Sequence, residues 1–237
     1  MKPFKKYPMI IKLENITKSY ENSDSHSSQT VLRDINFSVS KGESISIIGS
    51  SGTGKSTLLN LMGTLDKPTL GRILLQGDDV ALLNADQLAE IRNKKVGFIF
   101  QMHHLLPQLS ALENVLVPLM LEKDKNKKAL ASKRAIELMI MVGLHDKLNQ
   151  FPGKLSVGEC QRVAVVRALI NEPEIILADE PTGSLDEESA IKLVDLLIEI
   201  SNKQQVALVM VTHSNELASK LKSTYKLSMG KLELVTK

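Results

Sequence analysis

The segment GSSGTGKST combines glycines, hydroxyl groups and a lysine at a spacing that suits the binding of phosphate groups. It fits the pattern G-x-x-x-x-G-K-[ST], in which backbone N–H groups curl around phosphate oxygens and the dipole of the following helix adds to the attraction. Lys55 would reach the β- and γ-phosphates of a nucleotide, and the hydroxyl group of Ser56 would be a ligand of Mg²⁺. The alternative is a glycine-rich turn with an ordinary surface lysine. Because the segment lies between a predicted strand and a predicted helix, we predict a nucleotide-binding loop, formed by Gly49, Ser50, Ser51, Gly52, Thr53, Gly54, Lys55, Ser56 and Thr57.

Two adjacent acids, Asp179 and Glu180, follow the apolar run IILA. Asp179 could hold Mg²⁺ opposite Ser56, directly or through water, and Glu180 could polarise an attacking water molecule. A lone glutamate here would fit equally well as a helix N-terminal acid or a salt-bridge partner, but the Asp-Glu pair favours hydrolysis over simple binding. His213 also ends an apolar run and could hydrogen-bond the γ-phosphate, although taken alone it is better explained as a loop histidine.

Short apolar runs rich in β-branched residues predict buried strands, and helical patterns separate them. Near-continuous apolar runs are typical of a sheet covered on both faces, so the alternation predicts a mainly parallel α/β sheet. The predicted strands are 44–49, 96–100, 175–179 and 206–213, and the predicted helices include 55–65 and 190–201. Each strand ends at one of the polar residues considered above or at Gln101. Ligands bind at the carboxyl ends of strands in such sheets, so these residues should converge on one crevice.

Three regions lie outside this alternation. The first forty residues contain two half-exposed strands joined by a polar, serine-rich loop that we expect to be mobile. A helical insertion without strands follows Met102, and the chain ends in a hairpin that turns near Gly230. The predicted strands are 10–20 and 31–40, the loop is 21–30, and the helices of the insertion are 110–121 and 127–142.

Composition narrows the class of protein. A net charge of +3 and an aromatic content of 3% argue against nucleic acid as a partner. One cysteine, Cys160, excludes an intrachain disulfide framework and fits a reducing compartment. The N-terminus lacks the apolar core of a signal peptide, and no stretch approaches the roughly 18 uninterrupted apolar residues of a membrane span. We therefore expect a cytoplasmic protein that contacts a membrane only through its partners.

The segment LSVGE opens an apolar helical pattern. Ser156 and Glu159 form a Ser-x-x-Glu capping box, so the segment could simply be a well-capped helix start. A capped helix start with a glycine at its second position, here Gly158, is also a place where an anion can bind.

These motifs, in their order and spacing, resemble those of the ATP-binding subunits of ABC transporters. The set comprises the phosphate-binding loop, Gln101, LSVGE, IILADE, SLD at 184–186 and His213, and it covers essentially the whole chain. The resemblance implies an α/β fold, a P-loop NTPase core with a mainly parallel sheet, an N-terminal antiparallel β subdomain and a helical insertion. It also implies one ABC ATPase domain over 1–237, with the helical subdomain at about 102–170.

The same resemblance implies ATP and Mg²⁺ as cofactors and a homodimer in the ATP-bound state. Each ATP would lie between the phosphate-binding loop of one copy and the LSVGE segment of the other, so Ser156, Gly158 and Glu159 would bind the ATP of a second copy. Tyr20 would stack on adenine, and Asp186 would lie in the loop that crosses the interface. Mg²⁺ would be held by Ser56, Gln101 and Asp179, and the catalytic residues would be Glu180, His213 and Gln101.

One segment departs from the usual family pattern, which is Leu-Ser-Gly-Gly-Gln. Val157 replaces the first glycine and Glu159 replaces the glutamine. A β-branched residue adds bulk and removes the freedom to adopt positive φ, so a backbone pressed against phosphate would weaken ATP binding. We expect Val157 to point away, with Ser156 and Gly158 kept as contacts. Cys160 in the same turn is either open to thiol reagents or a buried, inert thiol.

The adjacent histidines of FQMHHLLP could belong to a metal site, a base or a contact surface. Neighbouring side chains of an extended segment point to opposite sides, so we do not expect His103 and His104 to bind one ion. The bases that hydrolysis needs are supplied elsewhere. A contact surface remains, and the resemblance implies that this segment lines the groove for a helix of a membrane subunit. Alternatively, Leu105 and Leu106 pack the core of the insertion itself.

The segments FQMHHLLPQLSALENVLVPLML and GTLDKPTLGRILLQGDDV resemble the lipoprotein-releasing branch of the family. This implies an ATPase on the cytoplasmic face of the inner membrane, where two integral membrane permease subunits dock near 101–121 and release lipoproteins toward a periplasmic carrier. ATPases of the macrolide-efflux and cell-division types share HLL and a similar helix, so a regulator of a membrane partner stays open. A soluble ATPase acting on ribosomes or DNA fits less well, because such families usually carry two ATPase domains in one chain or a long coiled coil.

Overall fold

The computed structural model of the chain describes residues 9–21, 28–120 and 122–235. The strands are β1 (Met9–Glu21), β2 (Ser28–Ser40), β3 (Ser44–Ile48), β4 (Leu70–Leu75), β5 (Asp78–Asp79), β6 (Val96–Ile99), β7 (Ile175–Asp179), β8 (Ala207–Thr212), β9 (Ser223–Ser228) and β10 (Lys231–Val235). The α-helices are α1 (Lys55–Met62), α2 (Ala85–Lys95), α3 (Ala111–Leu116), α4 (Lys125–Met141), α5 (Val157–Leu169), α6 (Glu187–Gln204) and α7 (Asn215–Ser219).

The larger sheet has the strand order β10-β9-β3-β8-β7-β6. Neighbouring strands from β9 to β6 run parallel, and β10 is the antiparallel partner of β9. Ile48 is paired with Thr212 and Asp179 with Val211, so the carboxyl ends of β3, β7 and β8 lie at one edge. The prediction of a mainly parallel sheet with a C-terminal hairpin is confirmed.

The smaller sheet is antiparallel, with the order β2-β1-β4-β5, as predicted for the N-terminal region. The prediction of a loop over 21–30 was wrong at its ends. β1 continues to Glu21 and β2 begins at Ser28, because Ser19 pairs with Thr30 and Tyr20 with Gln29. Residues 22–27, where mobility was predicted, lie outside the described residues.

The helical insertion contains α3 and α4, and the described part of 102–150 has no strand. The predicted helix over 110–121 is shorter than expected, since α3 ends at Leu116 and a 3-10 turn, Val117–Leu119, follows. Pro118 explains this end, because its ring cannot continue an α-helix and it has no N–H to donate. No helix in the described residues has both the length and the apolar character to span a bilayer.

Two hydrophobic cores lie on opposite faces of the parallel sheet. Along β7, Ile176 and Ala178 face the core formed with α3 to α6, while Ile175 and Leu177 face the core formed with α1 and the antiparallel sheet. Successive side chains of β7 thus point to opposite faces, and the first four are all buried. This is the pattern of a sheet that is covered on both sides. The two layers hold the strand ends, and hence the residues that follow them, in fixed positions.

Gly97 in β6 lies close to the backbone of α5. A Cβ atom at this position would lie 2.5 Å from the carbonyl oxygen of Ala168, so a backbone would have to shift. We expect Gly97→Ala to lower the free energy of unfolding by about 1–3 kcal/mol, the range found for overpacked cores. Urea denaturation measures this, with Gly153→Ala as the matched control because a Cβ there meets nothing within 4 Å. Equal urea midpoints for the two variants would contradict the close packing.

Candidate active site

A cavity of about 560 Å³ lies at the carboxyl edge of the parallel sheet. β3 leads into the loop before α1, β6 is followed by Gln101, β7 ends at Asp179 and β8 is followed by His213. The predicted convergence of strand ends is therefore present in the fold. The described lining residues are Val31, Ser51, Gly52, Gly54, Lys55, Ser56, Thr57, Gln101, Asp179, Glu180 and His213.

The loop before α1 curls around the side chain of Lys55. Gly54 has φ 98, and a Cβ there would lie 2.5 Å from Cγ1 of Val31, so both conformation and space require glycine. The Lys55 side chain is 5% exposed, and its Nζ donates to the carbonyl oxygens of Gly49 (2.9 Å) and Ser50 (3.0 Å). The ammonium group thus lies inside the loop, where it would meet a bound phosphate.

Asp179 carries a polar atom that the described part of the chain does not satisfy. Its Oδ1 is buried and has no hydrogen-bond partner there, and a buried acceptor left unpaired costs free energy. Ser56 and Gln101 line the same cavity. Carboxylate, hydroxyl and amide oxygens are the hard ligands that Mg²⁺ prefers, so these three residues fit a magnesium ion.

Glu180 is held in a strained backbone conformation. Its φ is 45, its N–H donates to Val211 (3.1 Å), and its carbonyl oxygen accepts from Gly183 (3.0 Å). Non-glycine residues with positive φ are concentrated at functional sites, where the surrounding structure holds them. The carboxylate contacts Nε2 of His213 at 2.5 Å and lies 3.7 Å from Nζ of Lys55. Three strand ends thereby bring one anionic and two basic side chains together.

His213 and Gln101 are placed by backbone groups around them. Nδ1 of His213 donates to the carbonyl oxygen of Gly49 at 3.1 Å, which ties β8 to the phosphate-binding loop. A Cβ on Gly183 would lie 2.8 Å from Nε2 of Gln101, so the glutamine side chain packs directly on glycine backbone. Gln101 also lines a neighbouring cavity of about 450 Å³ that extends to Leu185.

Several predicted residues do not line the cavity in one copy of the chain. Tyr20 is 42% exposed, and its hydroxyl donates to Asp66 at 2.9 Å while the Lys18 ammonium lies 4.7 Å from its ring centroid. Partial burial raises the pKa of Asp66, and the hydrogen bonds from Lys18 and Tyr20 outweigh it, so the net shift is downward. The predicted residues that the structure describes but that are absent from the cavity lining are Tyr20, Gly49, Ser50, Thr53, Ser156, Gly158, Glu159 and Asp186.

The LSVGE segment forms the predicted capping box at the start of α5. The Ser156 side chain accepts from the N–H of Glu159, and the Glu159 carboxylate accepts from the N–H of Ser156 at 2.7 Å, which lowers the pKa of Glu159. Asp186 caps α6 in a similar way by accepting from Ser189, and these hydrogen bonds lower its pKa. Both caps present a helix start at the surface.

Of the two alternatives for Cys160, an accessible thiol and a buried, inert one, the structure shows the buried thiol. It is 3% exposed, and its Sγ donates to the carbonyl oxygen of Pro152. Burial raises the pKa of the Cys160 thiol, so the reactive thiolate form is disfavoured.

Residues 32–183, more than half of the chain, match the family described as ABC transporter. The chain belongs to the ABC transporter family. It is 45% identical over 223 residues to the lipoprotein-releasing system ATP-binding protein LolD of Geobacter metallireducens, covering 94% of this chain and 97% of that protein. It is 42% identical over 227 residues to LolD of Shewanella sp. (strain MR-4), covering 96% of both.

Solved structures agree with this family assignment. The ATP-binding cassette MJ0796, in a dimeric post-hydrolysis state bound to ADP and Pi, superposes with a TM-score of 0.84 and 37% identity, covering 96% of this chain and all of that one. A second dimeric structure of MJ0796, described as a bacterial ABC transporter cassette, also has a TM-score of 0.84, with 38% identity. The predicted ABC ATPase fold is confirmed.

Val157 in the LSVGE segment occupies a position where glycine is not required by the backbone. Val157 is the first residue of α5 and is 49% exposed, and its φ is not among the positive values that would require glycine. We therefore expect Val157→Gly to change ATP turnover by less than about tenfold, or about 1.4 kcal/mol of barrier. Steady-state phosphate release measures the difference, and a larger change in either direction would contradict an outward-facing valine.

The histidine pair does not have the extended backbone that we predicted. His104 has φ 47, so the chain turns sharply there, and Nδ1 of His103 accepts from the N–H of Leu105 at 3.2 Å. Burial lowers the pKa of His103, and the neighbouring charge of Arg167 adds to this effect. Leu105 packs in the helical core, as the alternative hypothesis predicted, while Leu106 is 45% exposed, so the contact surface stays a prediction for the segment.

A groove of about 440 Å³ lies between α2, α5 and the turn around Pro118. Phe98, Phe100, Val117 and Pro118 give it an apolar floor. Val117 and Pro118 belong to the segment 101–121, for which docking was predicted, while the walls formed by α2 and α5 were not part of that prediction. A signal for α2 was present, because Asn84 and Gln87 form a capping box.

Proposed function

We propose that this chain is the ATP-hydrolysing subunit of a lipoprotein-releasing ABC system. The observation that carries this proposal is identity of 42–45% with LolD proteins over 94–96% of the chain. The alignments also cover 96–97% of those proteins, so the similarity spans nearly the full length of both chains. The macrolide-efflux and cell-division types remain outcomes of the test below.

ATP binding is assigned to the residues of the phosphate-binding loop. Backbone N–H groups of the loop and the N-terminus of α1 would hold the phosphates, and Lys55 would exchange its loop carbonyl partners for β- and γ-phosphate oxygens. The exposed ring of Tyr20 would stack on adenine from the face opposite Lys18. The loop residues are Gly49, Ser50, Ser51, Gly52, Thr53, Gly54, Lys55, Ser56 and Thr57.

Ser56, Gln101 and Asp179 would hold Mg²⁺, since Asp179 offers a buried oxygen without a partner in the described chain. When bound, the ion neutralises charge on the phosphate oxygens. Glu180 would accept a proton from water whose oxygen attacks the γ-phosphorus, and the bond from that phosphorus to the bridging oxygen of ADP breaks. His213, oriented by Gly49, would donate to the γ-phosphate.

A second copy of the chain would complete the site. Ser156 and Gly158 lie at the start of α5, outside the cavity of their own chain, and their exposed helix start would bind the ATP of the other copy, with Glu159 supporting the cap. Asp186, at the start of α6, would lie in the interface loop. MJ0796 is dimeric in its post-hydrolysis state, which supports this arrangement.

The remaining assignments concern organisation and location. We propose one ABC ATPase domain over 1–237 with a helical subdomain at about 102–170. Two integral membrane permease subunits would dock at the apolar groove beside 101–121, placing the chain at the cytoplasmic face of the inner membrane. Contact with the membrane would occur through these subunits, and nucleic acid has no role in the scheme.

Affinity purification of a trapped variant tests the proposal. Glu180→Gln protein held with Mg-ATP would be isolated from native membranes in mild detergent, with Lys55→Ala protein as the control that binds Mg-ATP more weakly. We expect permease subunits of the lipoprotein-releasing type with the first variant. Recovery of a cell-division or macrolide-efflux partner would replace the cargo assignment, and recovery of ribosomes alone would refute a transporter.

A further inference from the structure

Side chains of α5 hold the backbone on both sides of Gln101. Nε2 of Gln161 donates to the carbonyl oxygen of Phe100 at 2.8 Å. The guanidinium group of Arg167 donates through Nη2 to His103 and through Nη1 to His104, both at 2.7 Å. The carbonyl groups that precede and follow Gln101 are therefore attached to one helix.

These two side chains are poor choices for packing alone. Gln161 is fully buried, and its Oε1 has no hydrogen-bond partner in the described residues. One turn further along the helix, the side chains of Ala164 and Val165 are apolar and buried. A buried polar group with an unpaired atom is destabilising compared with an apolar residue of the same size. Arg167 directs two donors to carbonyl groups, and none of the ion pairs in the described residues includes it. Both side chains thus stabilise one conformation of the backbone around Gln101, although burying their polar groups lowers the stability of the fold.

The bonds from Gln161 and Arg167 hold the backbone next to Gln101 in one conformation. The left-handed turn at His104 (φ 47) is unfavourable for a non-glycine residue, and the bond from Arg167 stabilises it. The side chain of Gln101 itself packs on Gly183, in the neighbouring cavity that Glu180 also lines. The same helix, α5, begins at the LSVGE segment. One rigid element therefore connects Gln101 to the residues proposed to bind the ATP of the second copy.

We propose that Gln161 and Arg167 are positioning residues that fix Gln101 to the start of α5. When the start of α5 in one copy closes over the ATP of the partner, these two residues would move Gln101 of the first copy into position in that copy's active site. This inference rests on the proposed function, because it concerns the same hydrolytic site.

A double-mutant cycle tests the proposal. In the wild-type background, Gln161→Met should lower kcat about tenfold, because a displacement of about 1 Å in a catalytic group has effects of this order or larger. KM for ATP should change less than about twofold, since the phosphate-binding loop is untouched. In a Gln101→Ala background, Gln161→Met should cause no further loss. Arg167→Met should behave similarly, and Arg167→Lys, which keeps a donor, should retain more activity.

Ser201→Ala is the matched control. Ser201 is also buried and donates to a backbone carbonyl, that of Val206 at 2.7 Å, but it lies away from the cavity. It should lower stability without changing kcat. Equal losses of kcat from Gln161→Met with and without Gln101 would overturn the proposal, as would a fall in kcat with the control variant.

Hydrogen exchange gives a readout that does not require hydrolysis. In Gln161→Met, amides of 101–106 should exchange at least about fivefold faster while those of 49–57 are unchanged, since local openings are independent of global unfolding. Uniform acceleration across the chain would indicate a merely structural role. Absence of ATP hydrolysis by the wild-type protein would refute the proposed function. The exchange pattern would still show whether Gln161 holds the segment around Gln101.

Discussion

Glu180→Gln is expected to reduce ATP turnover by at least about 100-fold, the lower end of the contribution of a general base. The amide cannot accept the proton of the attacking water, whereas its size and its hydrogen bond to His213 are kept. Lys55 and the glycines of the loop are unchanged, so ATP affinity should stay within about threefold, or about 0.7 kcal/mol. Phosphate release gives the first quantity, and equilibrium binding of a fluorescent ATP analogue gives the second.

Glu188→Gln is the matched control for this variant. Glu188 follows the loop of Asp186, is 79% exposed and pairs with Lys192 along α6, so losing its charge should leave turnover unchanged. If Glu180→Gln kept its turnover, the general base would have to be another group. If Glu180→Gln and Glu188→Gln both lost turnover, the cause would be a general electrostatic effect of removing negative charge.

Lys55→Ala is expected to weaken ATP binding about 10- to 100-fold, because charge-assisted hydrogen bonds contribute about 1.5–3 kcal/mol. Nζ of Lys55 lies inside the loop, where it donates to two carbonyl groups that a phosphate would displace. The fold should survive, since Glu180 keeps its contact with His213. Isothermal titration with Mg-ATP measures the loss, and the thermal midpoint should change by less than about 4 °C.

Lys222→Ala provides the control for Lys55→Ala. Nζ of Lys222 also donates to a glycine carbonyl, that of Gly42 at 3.0 Å, but on the exposed surface. Its removal should leave ATP binding unchanged. If both lysine variants bound ATP normally, the phosphate site would have to lie outside the loop.

The site residues that directly follow strands could be predicted from the sequence. Apolar runs longer than three residues occur where both sheet faces are covered, so β7 and β8 were recognisable, and Asp179 and His213 follow from where those runs stop. Gln161 could not be recognised in this way. Its polar side chain interrupts an apolar helical face, but its partner, the carbonyl oxygen of Phe100, is 61 residues distant in the chain.

Other differences arise from tertiary contacts that local patterns do not contain. The polar residues 28–30 end a serine-rich stretch and favour a loop by composition, but pairing with β1 makes them a strand. The histidine pair was predicted to be extended, and the bonds from Arg167 explain the turn at His104 instead. The contribution of Ser156 and Gly158 to a complete site is invisible in a single chain, because it depends on a second copy.

The molar mass of Glu180→Gln protein in Mg-ATP, measured by light scattering, tests most directly whether the active site is completed by a second copy. We predict twice the mass of one chain with two ATP molecules bound, and the mass of one chain without nucleotide. Adding Gly158→Asp should restore the single-chain mass, because its carboxylate would repel the partner's γ-phosphate, while a Cβ there meets nothing closer than 3.9 Å within the chain. A single-chain mass at saturating Mg-ATP, or a dimer that Gly158→Asp does not disrupt, would contradict the account.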